Sequence, residues 1–400
     1  MNTFYVIGLN ENVQQLATPD VTPILSSNFI FSGGIKQQET VRSILPKNST
    51  WININIPFNK TFDEYEKFLS NGEDIVLFVT GDPAFFDFTS SLYKRFPDTD
   101  LKMMPAHNVF QTLAQHLMIP YHDIYMANFE DHTWHDFDFA LIKGKPKIGV
   151  SADKIHSPSA IAERMMEYGY NNYTMYVGEY LNDPEMRTIR KMSLVSASSG
   201  HFNFPNSILL VKEYENPTQL FGIPDHYFSR VMGEENKITE RPVRLMSLSM
   251  LELKSKKNFW DIGFCTGSVA IEARLQFPHL HVTGFDIEEE CGNLMAINSC
   301  RCGAPGIHAV IGDFCNVSLS LLPPPDAVFI GGHGGKLIEM VSRIAEVAES
   351  GCIIVFCSLN EESNVFFQHA CTLFSLRILE QTRMTIDSYS TCTIYKAINI

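Results

Sequence analysis

The chain has 400 residues, of which 45% are hydrophobic and 19% are charged, and its formal net charge is −14. This length exceeds what one hydrophobic core usually supports, so we expect two domains. The composition excludes a disordered chain. The negative charge is spread over both halves and argues against a nucleic-acid partner, because nucleic-acid-binding proteins normally carry a basic patch.

Residues 1–8 contain no basic segment and run directly into a strand-like stretch, so we see no secretory signal. The most apolar stretches, such as 352–359, are far shorter than the ~20 residues of a membrane helix. We therefore expect a cytoplasmic protein without a membrane partner. All nine cysteines lie after residue 264 and none is in C-x-x-C spacing, which predicts reduced thiols and no metal site.

Strand and helix signals alternate in the first half, which predicts an α/β domain with a largely parallel sheet. The predicted strands are 4–8, 74–79, 147–150, 175–177 and 207–211. A helix is predicted to begin at Ser157-Pro158 and to end at Gly169, because proline suits the first turn and glycine the C-terminal cap. Residues 213–222 show no sustained period and contain both breakers, which predicts a linker.

The second half, residues 223–400, repeats this alternation with clearer turn signals. Its predicted strands are 259–263, 281–286, 308–311, 327–331 and 352–357. Its predicted helices are about 267–276, 288–300, 336–349 and 361–371. Residues 376–385 and 391–398 flank the turn-forming residues 387–390 and predict a terminal antiparallel hairpin. The chain is thus divided into a domain over 1–212, the linker, and a second α/β domain.

A nucleoside site is predicted where the strand 259–263 turns into a helix. Gly263 and Gly267 allow a tight turn and a close approach of the backbone to a ligand. Asp286 follows Gly263 by 23 residues and closes the next strand, where a carboxylate would accept hydrogen bonds from both ribose hydroxyls. Asp313 follows the third strand and could face the amino group of adenine.

The turn and its two acids resemble the Rossmann-like class of S-adenosylmethionine (SAM)-dependent methyltransferases, although Cys265 stands where that class usually has glycine. The segments 221–225, 238–244 and 326–337 together resemble the decarboxylating precorrin-6B methyltransferases, in the domain that methylates ring carbon 15 and removes the carbon 12 acetate. The most specific part of this resemblance, which covers 221–400, is the glycine run 331–335. It implies that SAM contacts Thr239, Gly263, Phe264, Cys265, Thr266, Gly267, Asp286 and Phe314. Thr239 is also a candidate helix N-cap.

In the first half, Thr80-Gly81-Asp82-Pro83 follows a strand and resembles the Gly-Asp-Pro motif of the tetrapyrrole methylase family. The order of the segments at 8–10, 105–110, 118–123, 178–182 and 205–208 resembles the same family, in the domain that methylates ring carbon 5. The resemblance covers 1–212 and implies two α/β subdomains, with Gly8, Gly81, Asp82 and Pro83 at a second SAM site. The loops at 8–12 and 105–109 depart from the family's usual G-x-G-P-G and P-G-x-S-S.

Methyl transfer from a sulfonium is an in-line displacement, so the protein mainly aligns the reactants and excludes water, which accounts for ~7–11 kcal/mol at best. The conjugated ring itself can accept the electron pair that carbon dioxide leaves behind. Because a precorrin carries many carboxylates, we predict a cationic rim of Arg241, Arg244 and Lys336, with His333 as a candidate proton donor. A solvated helix face for the three cations, and a spacer role for His333, are the alternatives.

These observations predict an enzyme of corrin-ring (cobalamin) biosynthesis that methylates a tetrapyrrole substrate at ring carbons 5 and 15 and removes the carbon 12 acetate. We expect a homo-oligomer that pairs through the first half. Two alternatives stay open. One is an RNA methyltransferase, since both folds also serve RNA enzymes. The other is a SAM-binding regulatory protein that has lost catalysis, which Cys265 and the loop at 10–12 support.

Overall fold

The structure is a computed structural model, and it describes residues 2–9, 16, 18–85, 87–129, 132–181, 183, 185–215, 221–231, 237–386 and 390–400. The sequence predictions at 10–12, 182, 216–220 and 387–389 lie outside the described residues. Within them, the strands form three sheets. No helix in this part of the chain is both long and apolar enough to cross a bilayer.

The first sheet is parallel throughout. Its strands, in spatial order, are β3 (Thr50–Asn53), β2 (Ile30–Gly33), β4 (Ile75–Thr80), β1 (Thr3–Leu9) and β5 (Asp100–Met104). The helices that accompany it are α1 (Val21–Ser27), α2 (Ile35–Val41), α3 (Asn59–Ser70) and α4 (Asp87–Arg95). β1 and β4 are almost entirely buried, as central strands of a parallel sheet should be. Their carboxyl ends lie side by side, which brings Gly8, near the end of β1, close to Gly81, the residue after β4.

The second sheet has the order β6 (Ile124–Ala127), β7 (Lys147–Ser151), β10 (Asn206–Lys212), β8 (Tyr173–Glu179) and β9 (Thr188–Met192). Its helices are α5 (Val109–Leu117), α6 (His135–Ile142), α7 (Pro158–Glu167) and α8 (Leu194–Ser198). β6 and β7 are parallel, but the other pairs are antiparallel. The prediction of a largely parallel sheet is wrong here, because the segment between β8 and β9 is too short for a helical crossover.

In this part, the ends of α7 and β10 lie close to where the sequence predicts them. The Ser157 hydroxyl accepts a hydrogen bond from the Ala160 amide at 3.2 Å, and Pro158 occupies the first turn of α7. Gly169 adopts a left-handed φ of 79° after the helix ends. β10 ends at Lys212, where the predicted first domain also ends.

The third sheet has the order β13 (Ile307–Ile311), β12 (His281–Asp286), β11 (Asn258–Ile262), β14 (Ala327–Ile330), β15 (Ile353–Ser358), β17 (Ser390–Asn399) and β16 (Leu376–Ile386). Its helices are α9 (Arg241–Met250), α10 (Ser268–Gln276), α11 (Glu289–Cys302), α12 (Leu337–Val347) and α13 (Glu361–Leu373). The paired strands are parallel except where β17 pairs antiparallel with β15 on one side and β16 on the other, and β16 and β17 form the predicted hairpin. The strand order reverses between β11 and β14, and ligands of open α/β sheets bind at such a switch point.

Both faces of this sheet are covered. Phe259 belongs to the core that α9, α10 and α11 complete, whereas the next residue, Trp260, belongs to the opposite core under α12 and α13. Successive side chains of a strand point to opposite faces, so β11 contributes to both cores. The segment 259–263 is therefore held rigidly, and the turn that follows it starts from a fixed point.

A buried ionic cluster joins the two halves of the chain. Asp138 of α6 accepts hydrogen bonds from Arg164 of α7, at 2.7 Å from Nε and at 2.6 Å from a terminal guanidinium nitrogen. Its Oδ2 atom also lies 3.9 Å from a guanidinium nitrogen of Arg274 of α10, in the second half. Asp138 and Arg274 are fully buried. A single carboxylate thus compensates two guanidinium charges across the interface.

Ring stacking extends this interface. The His135 ring of α6 stacks on that of His281, the first residue of β12, with 4.0 Å between the centroids. Burial, and then the charge of Arg274, lower the pKa of His135 to about 4, so the ring is neutral at pH 7 and stacks without charge repulsion. The Tyr170 hydroxyl donates to the Gly303 carbonyl at 2.7 Å. α6 and its surroundings therefore contact α10, β12 and the end of α11.

We predict that Asp138→Asn lowers the free energy of unfolding by about 3–5 kcal/mol, because it leaves two buried guanidinium groups without a counter-charge. Urea denaturation followed by circular dichroism measures this change. Glu163→Gln, at an exposed position of α7, is the control and should change the midpoint little. Equal midpoints for the two variants would show that the cluster does not stabilise the fold.

Candidate functional site

The turn after β11 is pressed against the glycine run 331–335. A Cβ atom on Gly263 would lie 2.6 Å from the Gly332 nitrogen and 2.7 Å from its carbonyl oxygen. Gly263 also has a left-handed φ of 74°. The Gly331 amide donates to the Ile262 carbonyl at 2.9 Å. The two motifs that carried the sequence resemblance in the second half are thus in direct backbone contact.

Asp286 at the end of β12 holds this turn in place. Its Oδ2 accepts a hydrogen bond from the Cys265 amide at 2.8 Å, and its Oδ1 accepts one from the Glu288 amide at 3.1 Å. A carboxylate has about four acceptor positions. Asp286 therefore keeps capacity for two more donors, and its side chain is only partly buried. This is the arrangement that a ribose with two hydroxyls requires.

Asp313 lies beside this site, in the loop after β13, because the Gly312 amide donates to the Asp286 carbonyl at 2.7 Å. The Lys336 ammonium donates to Asp313 Oδ2 at 2.6 Å, and the Cys315 amide donates to Oδ1 at 3.0 Å. The bond to Lys336, and then the one to Cys315, lower the pKa of Asp313. Lys336 is at the surface as predicted for the rim, but its charge already neutralises Asp313.

Arg244 is fully buried, so its predicted place in an exposed cationic rim is wrong. Its guanidinium lies 3.0 Å from Asp225 Oδ1 and 3.4 Å from Glu272 Oε2, and it donates to the carbonyls of Thr239 and Ile223. The physical reason is that two carboxylates and two carbonyls surround the side chain. Arg244 therefore holds the segment around Thr239 in place through its bond to the Thr239 carbonyl.

Two residues of this network were not predicted from the sequence. Glu272 of α10 is fully buried and accepts the amides of Gly222 and Ile223 at 2.8 and 2.9 Å. Asp225 accepts the Arg241 amide at 3.1 Å. The segment 221–225 is thus fastened to α10. An acid among the apolar residues at 269–273 was the signal that could have revealed Glu272.

The residue that caps α9 is Glu240, so the N-cap alternative for Thr239 is wrong. Thr239 follows the segment that Cys265 contacts, since the Cys265 thiol donates to the Lys237 carbonyl at 3.0 Å. Burial raises the pKa of Cys265, which stays a neutral thiol at pH 7. The cysteine that replaces the usual glycine therefore directs its side chain at the 237–239 segment.

The remaining predicted residues around the turn are mostly core residues. Phe264 and Phe314 are 5% and 3% exposed, and the Phe314 ring packs edge-on against Phe285 with 5.0 Å between centroids. Phe314 can therefore meet a ligand through its backbone but not through its ring. Gly267 begins α10 with a φ of 75°, and the fully buried Thr266 accepts a hydrogen bond from Asn298 at 2.9 Å through its carbonyl.

His333 has both ring nitrogens engaged. Its Nδ1 accepts from the Gly335 amide at 3.1 Å, so the proton is on Nε2, which lies 3.0 Å from the Ser363 hydroxyl. Desolvation lowers the pKa of His333, so the ring is neutral at pH 7. In this arrangement the imidazole fixes the glycine run, and proton donation would require breaking the bond to Ser363.

Asp261 was not among the predicted site residues, although it lies inside the motif. It is 1% exposed in the middle of β11, its Oδ2 accepts the Ala270 amide of α10 at 2.9 Å, and its Oδ1 has no partner among the described residues. Desolvation raises its pKa to about 7. An acid within the apolar run 259–262 was the available signal. Asp261 fixes the start of α10 relative to the strand that precedes it.

In the first half, the predicted loops converge at the carboxyl ends of β1 and β4. A Cβ atom on Gly8 would lie 2.0 Å from the Gly81 carbonyl oxygen and 2.6 Å from the Ala106 nitrogen. Asp82 accepts the Ala84 amide at 2.9 Å, and the Pro83 carbonyl accepts from the Thr89 hydroxyl at 2.5 Å. Both residues shape their own loop.

A cavity of about 200 Å³ lies beside these loops, between the first and the second sheet. Leu9 and Thr80 line it from the first sheet, and Gly178 and Ser207 line it from the second. Of the residues predicted at this site, Gly8 and Gly81 each neighbour a lining residue. The cavity therefore lies where the resemblance places the second SAM site.

All nine cysteines lie in the described residues, and none forms a disulfide, as predicted. In the same part of the chain, no group of three or more His, Cys, Asp or Glu side chains is arranged to hold a metal ion.

Comparison with known proteins identifies the relatives of the chain. Residues 230–387 match a family model described as a precorrin methyltransferase domain. A precorrin-6Y C(5,15)-methyltransferase [decarboxylating] of Sinorhizobium sp is 22% identical over 369 residues, which cover 92% of this chain and 87% of that protein. A cobalt-precorrin-6B C(15)-methyltransferase (decarboxylating) of Salmonella typhimurium is 31% identical over 155 residues, which cover 38% of this chain and 78% of that protein. The crystal structure of a precorrin-6y C5,15-methyltransferase from Geobacter metallireducens matches with a TM-score of 0.41 at 25% identity, covering 45% of this chain and 98% of that one.

We predict that Gly263→Ala lowers the free energy of unfolding by about 1–3 kcal/mol more than Gly351→Ala, because overpacking adds to the cost of a left-handed residue. Gly351 has a φ of 81° but nothing within 4 Å of its Cβ position, so it controls for backbone strain alone. Urea denaturation of both variants measures the difference. Equal losses would show that the contact with Gly332 is not tight in solution.

We predict that Asp261→Asn removes a pH dependence of stability. The folded pKa of about 7 exceeds the unfolded value of 3.8, so the native state binds more protons between these values and wild-type stability falls as the pH rises through that range. Asparagine keeps an acceptor for the Ala270 amide but has no charge. From pH 5 to pH 8, the variant should gain on the order of 2 kcal/mol relative to wild type.

Urea unfolding at several pH values measures this gain, and Asp98→Asn, at an exposed position, is the control. A difference between Asp261→Asn and wild type that does not change with pH would contradict the assignment.

Proposed function

We propose a function from one premise, which is that the chain belongs to the family of decarboxylating precorrin methyltransferases. It is therefore a methyltransferase. Its substrate is a corrin-pathway tetrapyrrole, which it methylates at ring carbons 5 and 15 and from which it removes the carbon 12 acetate. The observation that carries this proposal is coverage. The relative named for both ring positions aligns with 92% of the chain, whereas the relative named for carbon 15 alone aligns with 38%.

The two activities divide between the halves. Residues 1–212 methylate ring carbon 5, and residues 223–400 methylate ring carbon 15 and decarboxylate. This division is supported by the separate sheets of the two halves and by one candidate site in each. The homo-oligomer expected through the first half stays a prediction.

SAM is the methyl donor in both halves, and when bound it supplies a methyl group on a positively charged sulfur. In the second half, the free acceptor positions of Asp286 fit the ribose, and Gly263 and Gly267 let the backbone approach. Asp313 and the backbone of Phe314 are placed to meet the adenine. Thr239 and Cys265 border this pocket, and Phe264 and Thr266, whose side chains are buried, contribute to it through the backbone of the turn. In the first half, Gly8 and Gly81 each neighbour a residue that lines the cavity, and Asp82 and Pro83 follow Gly81 in its loop.

The residues of the second half contribute to catalysis by orienting the reactants. Asp286 fixes the turn through the Cys265 amide, and Gly332 fixes it from the other side. A preorganised pocket of this kind can lower a barrier by ~7–11 kcal/mol at best. His333 keeps the glycine run in place through Gly335 and Ser363. None of these residues needs to act as a strong base, because the ring carbon is itself the nucleophile.

Decarboxylation breaks the bond between the acetate carboxylate and its methylene carbon. The electron pair passes into the conjugated ring, carbon dioxide leaves, and the methylene carbon takes a proton to become a methyl group. Desolvation of the carboxylate by apolar surroundings favours its departure. Arg241 and Lys336 are exposed, but Lys336 already pairs with Asp313, so Arg241 is the member of the predicted rim that is left for the other carboxylates of the substrate.

We predict that the wild-type chain, incubated with SAM and precorrin-6B or its cobalt form, yields a product with two additional methyl groups and one fewer carbon dioxide. In Asp286→Asn, loss of charge-assisted hydrogen bonds worth about 1.5–3 kcal/mol should weaken SAM binding in the second half roughly ten- to hundred-fold. At limiting SAM, its product should gain one methyl group and keep the carboxylate. Mass spectrometry distinguishes these products.

Glu290→Gln, at an exposed position in the first turn of α11, is the matched control and should give the wild-type product. If neither form of the substrate gains a methyl group with the wild-type chain, the proposed function is wrong.

A further inference from the structure

The described lining of the cavity between the first and the second sheet is polar and has a single positive charge. Lys36, at the start of α2, is the one formally charged residue among those described that line it. The other polar lining residues are neutral, and they are Gln37, Thr40, Thr80, Asn206 and Ser207. Residues 1–212 contain 17 basic and 23 acidic residues, so acids are the more common charged group there, but none of the described acids lines the cavity.

Lys36 is presented to the cavity by a fixed helix. The Gln37 side-chain amide donates to the Thr80 hydroxyl at 2.7 Å and so ties α2 to the end of β4. The Thr40 hydroxyl donates to the Lys36 carbonyl at 2.8 Å. Within the part of the chain that the structure describes, no carboxylate lies within 4.0 Å of the Lys36 ammonium, whereas Lys147, Lys212, Lys336 and Lys396 each have one within 2.7 Å.

An uncompensated ammonium beside neutral hydrogen-bonding groups is complementary to an anion. The volume of about 200 Å³ is below the ~300–1,000 Å³ that encloses a drug-sized ligand, so the cavity receives one arm of a larger molecule. In the reaction proposed above, both reactants have carboxylate arms. SAM has one on its methionyl group, and the tetrapyrrole has several on its ring.

We infer that Lys36 is the carboxylate anchor of the first half and binds a carboxylate arm of the ligand that enters this cavity. The inference rests on the proposed function, because that function supplies the carboxylate. It adds a specificity-determining residue on α2, outside the loops that contain Gly8 and Gly81. A ligand without a carboxylate would lose this contact but keep the rest of the cavity.

The test uses the full-length chain with Asp286→Asn. This substitution weakens ligand binding in the second half, so the titration measures binding to the first half. S-adenosylhomocysteine and 5′-methylthioadenosine, which lacks the amino acid, are titrated calorimetrically into this chain with and without Lys36→Gln. The Michaelis constant for the tetrapyrrole is measured in the same pair. Lys36→Arg keeps the charge, and Lys47→Gln removes a charge from an exposed position after α2.

If the methionyl carboxylate binds Lys36, Lys36→Gln should weaken S-adenosylhomocysteine binding about five-fold and leave methylthioadenosine unchanged. If a ring carboxylate binds it, S-adenosylhomocysteine binding should be unchanged and the Michaelis constant should rise by a similar factor at constant kcat. In both cases Lys36→Arg should restore most of the effect and Lys47→Gln should have none.

No change in either quantity, or an equal change in Lys47→Gln, would overturn the inference and leave the proposed function intact. If the Asp286→Asn chain with Lys36 present neither binds S-adenosylhomocysteine nor methylates the tetrapyrrole, the proposed function fails for the first half, and the inference fails with it.

Discussion

The backbone contact between Gly263 and Gly332 sets the shape of the second half. These glycines follow β11 and β14, the two neighbouring strands between which the strand order reverses. A side chain on Gly263 would overlap the Gly332 backbone. The two loops can therefore close against each other because Gly263 has no Cβ atom, whereas a Cβ atom on Gly332 would lie in ordinary contact, 3.7 Å from the Gly263 Cα atom. With the loops closed there, the proposed nucleoside site lies toward β12 and β13, where Asp286 and Asp313 are found.

The acids around that space also explain how an acidic site can serve an anionic substrate. Asp261, Asp286 and Asp313 each accept a backbone amide of a neighbouring loop or helix. Asp313 is also paired with Lys336. These bonds compensate much of the negative charge locally, because amide dipoles and one ammonium face the carboxylates. The acids thus act first as the framework of the pocket, and Asp286, which is partly buried and accepts one amide at each oxygen, keeps acceptor capacity for the proposed cofactor.

The sequence was most informative where turns are sharp and strands are buried. β12 has the predicted bounds of 281–286, and α10 to α13 begin within two residues of prediction, since glycine and charge patterns mark their ends, whereas α9 was not among the predicted helices. The antiparallel pairing of β10 with β7 and β8 was missed, because an apolar run does not reveal its partner's direction, and β9 was not predicted as a strand. Arg244 was misplaced for a similar reason. Its carboxylate partner Glu272 is 28 positions away, and only the packing of α9 on α10 brings them together.

The two elements that build the proposed site of the second half, α10 and β12, also contact the first half. α10 begins at the turn that Asp286 holds and, about 13 Å later at 1.5 Å per residue, ends near Arg274 in the buried cluster with Asp138. β12 begins at His281, stacked on His135, and ends at Asp286. Both elements that position the nucleoside site are therefore anchored at their opposite ends on α6 of the first half. A buried carboxylate between two guanidiniums tolerates little displacement, because separation would leave charges without partners away from water. The position of the second-half site relative to the first half is thus set by charge compensation rather than by the linker.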